Sequence, residues 1–240
     1  MMEDQQNEPV LQNPVVPPWH WPFLFPLNGT GLGMIGLFIL CKIILGALAF
    51  VPVPLMQLVI LILHVIVTAY IYWYLCLCVQ VTAEGQTRAP DILQDDEGDF
   101  KDLIVRMFRL LIAAFVCFAP GLIYFIWTKK ADETLWNIVA AGLFFLPMVL
   151  LSTILHDSLW GLNPILIVLS IIRTHVRYLL LVLCFCIPFG LYIALAIYSR
   201  HWGIWLTLPA EAIALYLAYV GSAMLGRFYY RNESHLDWGV

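Results

Sequence analysis

Three ionisable residues lie in otherwise apolar stretches: Lys42 in "LFILCKIILGAL", His64 in "LVILILHVIVTAY" and Glu211 in "WLTLPAEAIALYLAYVGSAML". A base, an imidazole and an acid are the groups that bind protons, hold ions or fix a small charged cargo. The same types also make structural ion pairs. An unpaired charge at the centre of a bilayer costs about 2.5–3.5 kcal/mol on insertion scales, so such groups turn inward and find partners. The economical arrangement is an intramembrane polar cluster in which Lys42 meets Glu211, with His64 beside them. One acid and one base neutralise each other, which favours a clasp between the first and last helices over a transport site.

Other constellations lead nowhere. "LHDSLWGLNP" places His156, Asp157 and Ser158 side by side, but adjacent residues on one turn diverge and cannot converge as a nucleophilic triad. No H-E-x-x-H, G-x-S-x-G or lipid-transferase motif is present. The expectation is no enzyme, no catalytic residue and no cofactor. Cys76/Cys78 and Cys184/Cys186 are spaced i, i+2, which on a helix points them about 200° apart and away from a shared metal. All six cysteines lie in apolar runs and read as reduced packing residues, so no metal site is expected. The acidic "DDEGD" fails as a calcium loop, because the required ligand positions around Gly98 are Leu93 and Ile104.

The elements that position these residues are membrane spans. The 240-residue chain is 62% hydrophobic and 12% charged, with mean hydropathy +0.87. Soluble domains are nearer half apolar and a quarter charged. The net charge of −4 and the absence of a basic cluster argue against nucleic acid as a partner. Six stretches satisfy the roughly 20 apolar residues that a span needs: 31–51, 55–79, 110–127, 135–155, 178–198 and 202–225. The predicted fold is all-α, a polytopic bundle of about six transmembrane helices with interfacial amphipathic helices. The acidic, proline-rich start lacks the basic region of a signal peptide, so an uncleaved first helix does the targeting.

Lysine and arginine set the orientation. Arg88, Lys101, Arg106, Arg109, Arg173, Arg177, Arg227 and Arg231 fall on the side of both termini, against Lys129, Lys130 and Arg200 on the other. Both termini are therefore expected in the cytoplasm. The domain plan is a Pro-rich tail over 1–27, a six-helix region over 28–226 with an acidic cytoplasmic loop at 81–99, and a second tail over 227–240.

Over 99–110, "DFKDLIVRMFRL", the apolar Phe100, Leu103, Ile104, Met107 and Phe108 recur with helical period. Lys101, Arg106 and Arg109 share the polar face, as in a helix lying in the lipid interface. "LNPILIVLSIIRTHVR" repeats the pattern: Asn163 as N-cap, Pro164 in the first turn, Arg173 and Arg177 at the basic end. Its wider apolar face leaves an interfacial or a shallow re-entrant placement open. Sliding the sequence against itself aligns Arg109 with Arg177, Leu111 with Leu179, Pro120 with Pro188 and Tyr124 with Tyr192 in one common register. This suggests three repeated helical hairpins, with "WPFLFPLNGTG" opening the first.

The order "PDILQDDEGDFKDLIVRMFRLLIAAFVCFAPG", "FFLPMVLLSTILHDSLWGLNPILIVLSIIR" and "LGRFYYRNESHLDW" resembles a bacterial multi-pass membrane family, a domain of unknown function. That family is loosely similar to Yip-type membrane-trafficking proteins. The resemblance spans residues 20 to 238 and implies a six-helix bacterial inner-membrane protein with no catalytic residues to carry over. The functional expectation is a non-enzymatic accessory or scaffold component of a membrane complex, with the bilayer and other membrane proteins as partners. The alternative is a small transporter or permease subunit with a midplane polar site.

Overall fold

Proline and asparagine mark where the helices begin. Pro54 opens one helix at a position whose missing N–H costs nothing. Asn163 accepts a hydrogen bond from the Ile165 amide (3.0 Å) and so caps another that starts at Pro164. The computed structural model describes residues 21–48, 53–90, 100–199, 204–236 and 238. Its elements are α1 (Trp21–Leu24), α2 (Gly29–Leu48), α3 (Pro54–Ala83), α4 (Phe100–Thr128), α5 (Glu133–Leu155), α6 (Pro164–Ser199) and α7 (Ile204–Leu236), with short 3-10 turns at Phe25–Leu27 and Leu159–Leu162. The long helices alternate in direction, with the most extensive packing between α3 and α7, α4 and α5, and α6 and α7, while α2 rests more lightly on α3 and α7. All six are long and apolar enough to cross a membrane, so the chain is a multi-pass helical membrane protein. Gly29, Ala83, Phe100, Leu155, Pro164 and Leu236 share the near side of the bundle; the opposite helix ends form the far side.

Several sequence expectations change. The segment expected as an interfacial helix at 99–110 is not separate: from Phe100 it forms the first turns of α4, since neither glycine nor proline interrupts the run before Pro120. Its apolar face packs on α3 rather than on lipid, with Leu103 and Met107 buried against Ala69. Asn163–Arg177 is likewise the start of α6, continuous with the span that follows and not a separate helix. That helix has 36 residues. Crossing a hydrocarbon core takes only roughly 20 residues, so α6 extends well beyond it. Residues 21–27 are not tail, because Phe25 is fully buried. Nor are 227–236, where α7 continues and Phe228, Tyr229 and Asn232 are buried. Residues 1–20 and the acidic core at 95–99 lie outside the described residues.

Two apolar cores flank α7. One joins Cys76 and Val79 of α3 with Ala113 of α4, Leu151 of α5, Tyr178 of α6 and Leu225 of α7. The other joins Phe38 of α2 with Tyr74 and Cys78 of α3 and Tyr219 of α7. Cys76 and Cys78 thus enter different cores, as side chains on opposite sides of one helix must. Backbones approach closely at two glycines. A Cβ on Gly226 of α7 would collide with the Thr82 hydroxyl and Val79 carbonyl of α3. One on Gly142 of α5 would sit 2.6 Å from the Cys117 carbonyl of α4.

On the far side, Asp132 caps α5: its carboxylate accepts from the Leu135 amide (3.1 Å) and from the Tyr124 hydroxyl (2.7 Å). Those two bonds, the tyrosine's first, hold its carboxyl below the usual carboxylate range. A depressed folded-state value means stability that is complete above the unfolded value and lost as the pH falls through the folded one. Thermal melts of the wild type below about pH 4 should therefore fall more steeply than those of Asp132→Asn.

For the close contacts, Gly226→Ala should cost about 1–3 kcal/mol in detergent melts. Gly33→Ala, whose Cβ meets nothing within 4 Å, should be neutral or slightly stabilising. Equal effects would contradict the α3–α7 contact.

Candidate functional site

α2 and α7 meet beside Phe38 and Leu215, and the next turn of each toward the far side carries a charge. Lys42 Nζ lies 3.3 Å from Glu211 Oε2, with side chains 23% and 45% exposed. Each residue is about two turns from the far-side end of its helix, so the pair sits off the midplane toward that side. The charges are mutually satisfied and within reach of the interface. Tyr219, two turns from Glu211 on the same face of α7, is fully buried, and its hydroxyl has no hydrogen-bond partner among the described residues.

His64 does not join them. It lies five full turns before Thr82 and so points along the line on which α3 meets α7, yet its side chain is exposed. The close contact that α3 makes with α7 through Gly226 lies on the near side, and with His64 exposed the expected cluster of three does not close.

A second polar group lies on the near side. Asp157, in the left-handed region (φ 44), ends α5 and turns its carboxylate to α4. Arg109 Nη1 donates to Asp157 Oδ1 (2.7 Å) and also to the Asp157 carbonyl, while Arg106 Nε lies 3.6 Å from Oδ1. Gln80 of α3 reaches the Ile154 carbonyl (3.5 Å). These residues border an open cleft floored by Cys76 and Leu110, with a volume of about 10 Å³. That is on the order of a single water and far below the about 300–1,000 Å³ of pockets that enclose small molecules. His156 turns elsewhere: its Nδ1 is 3.0 Å from the Ser152 carbonyl and its ring is 5.4 Å from that of Trp238. His156 and Asp157 therefore diverge, as adjacent residues should.

The arginines expected to face lipid head groups are held by protein. Besides Arg106 and Arg109, Arg177 donates to Asn232 Oδ1 (2.7 Å) and Arg173 reaches the Leu236 carbonyl at the end of α7 (3.5 Å). Of the five basic residues, only the exposed Lys101 makes no such contact among the described residues. Cationic groups at helix C-termini satisfy orphan carbonyls and the negative end of the dipole. The sequence signal is there to read: "RMFR" carries two arginines one turn apart, and Asp157 is the acid that closely follows an apolar span.

No protein-family model, curated protein or solved structure matches the chain.

Lys42→Met and Glu211→Gln should each lower stability in detergent by about 1–3 kcal/mol, as each leaves a charge without its partner. The double variant should recover much of the loss, with a coupling of about 1 kcal/mol or more in a denaturation cycle. Additive losses would show that the contact carries no energy.

Proposed function

We propose that the chain is a non-enzymatic, multi-pass protein of the bacterial inner membrane that serves as an accessory or scaffold component of a membrane complex. One observation carries this reading: basic side chains of the bundle tie one helix to another. Lys42 is taken by Glu211, Arg109 by Asp157, Arg177 by Asn232 and Arg173 by the end of α7. Sites that bind and release cargo keep polar groups turned toward a shared cavity. Here they tie helices together, the economy of a stable platform. The excess of lysine and arginine on the near side supports cytoplasmic termini. The partners are the bilayer and other membrane proteins, not nucleic acid.

A second reading, a small transporter or permease subunit, is favoured by one feature. The buried Tyr219 hydroxyl on the Glu211 face of α7 is the kind of group a proton or small polar cargo would satisfy.

Two measurements separate these readings. The full chain, extracted in mild detergent, should retain a membrane protein in fixed ratio. Proteoliposomes of the pure chain should show no ion or solute flux above empty vesicles. Flux that disappears with Glu211→Gln or Tyr219→Phe would replace the scaffold reading by the transporter.

A further inference from the structure

The far-side arm of α3 is largely uncovered. Ile60 is buried, but the turn that follows it is not: Leu61, Ile62, Leu63, His64 and Val65 are all exposed. The contrast with the near side is specific. Leu61 and His64 lie five full turns before Val79 and Thr82, the residues that receive Gly226 of α7. The line along α3 that α7 covers at one end is bare at the other.

That bare line is not uniformly apolar. Gln57, Leu61, His64 and Thr68 are spaced by four, three and four residues, the alternation of a coiled-coil seam. Thr68 is satisfied within its own helix by the His64 carbonyl (2.7 Å), but the His64 imidazole has no hydrogen bond or ion pair among the described residues. It lies about three turns from the far-side start of α3, at a depth where lipid offers no hydrogen bond. A polar group so placed is satisfied by another helix.

We propose that this arm is a self-association surface, with the α3 helices of two copies packed along Gln57–Leu61–His64–Thr68 and their His64 side chains hydrogen-bonded to each other. Two features select a second copy. A neutral imidazole has one donor and one acceptor nitrogen, so two copies in opposite tautomers share a single N–H···N bond beside a two-fold axis. And α3 has no Asp, Glu, Lys or Arg, so two copies meet without like-charge repulsion and the seam offers no charge for an oppositely charged partner. The contact needs neither the scaffold nor the transporter reading.

The test places a photo-crosslinking amino acid in the full chain, in native membranes, at Leu61, Thr68, Val59 or Ile62. Leu61 and Thr68 lie on the seam; Val59 and Ile62 point away from it, yet both are exposed. Products of twice the chain mass should form at Leu61 and Thr68 about tenfold more than at Val59 and Ile62. Equal yields at all four positions, or adducts only to lipid or to a different protein, would overturn the proposal. Self-association in detergent should weaken about tenfold in His64→Leu, in line with interhelical hydrogen bonds in membranes. It should persist in His64→Asn, whose amide also donates and accepts. Wild-type association of His64→Leu would exclude the imidazole pair. Should that variant fail to fold, the crosslinking pattern decides alone.

Discussion

The distance between α3 and α7 governs the rest of the fold. Helices in a bilayer gain nothing by hiding apolar surface from lipid, so association depends on dispersion at close range and on interhelical hydrogen bonds. Gly226 supplies the close range, setting the α7 backbone against the Val79–Ala83 turn. From that contact both cores follow, since α7 contributes Leu225 to one and Tyr219 to the other. The turn after α3 depends on it too. Tyr230 lies where a side chain at Gly85 would stand, and Gly85 adopts φ 85, open to glycine at no steric cost. The chain beyond then returns to α2, where Asn28 and Thr30 donate to the Thr87 and Ala89 carbonyls.

The near side is held by a different kind of contact. Long helices that pass the hydrocarbon leave their last carbonyls without partners. Arg109 and Gln80 meet those at the end of α5, and Arg173 meets one at the end of α7. Trp238 adds an indole N–H to Ser170 (2.9 Å), drawing the chain after α7 back over α6. Guanidinium suits this role because it stays charged and offers several donors in one plane.

Hydropathy alone locates the six spans, and the cost of an intramembrane charge is enough to pair Lys42 with Glu211 across most of the chain. Periodicity misleads where it carries two meanings. An apolar stripe with a basic face describes a helix on lipid equally well as the first turns of a longer helix packed on a neighbour, and over 100–110 the neighbour is α3. Two arginine partners are hidden for a related reason: Asn232 and Leu236 are 55 and 63 residues from the arginines that reach them, beyond any local pattern. His64 departs from expectation because depth in the membrane does not fix which helix covers a residue, and its side chain is exposed. Small residues such as Ala218, Ser222 and Gly226, one turn apart on α7, show where helices can touch, not where they part.

The Tyr216 hydroxyl donates to the Phe23 carbonyl, a bond that spans 193 residues of chain and fastens the first described turn to the last helix. Synthesis at about 5–20 residues per second leaves roughly 10–40 s between the two partners. During that interval α2 and α3 are already in the bilayer, and Lys42 waits nearly as long for Glu211. Until then the first hairpin stands in the membrane without either bond, and a chain cut short before α7 leaves its lysine unpaired.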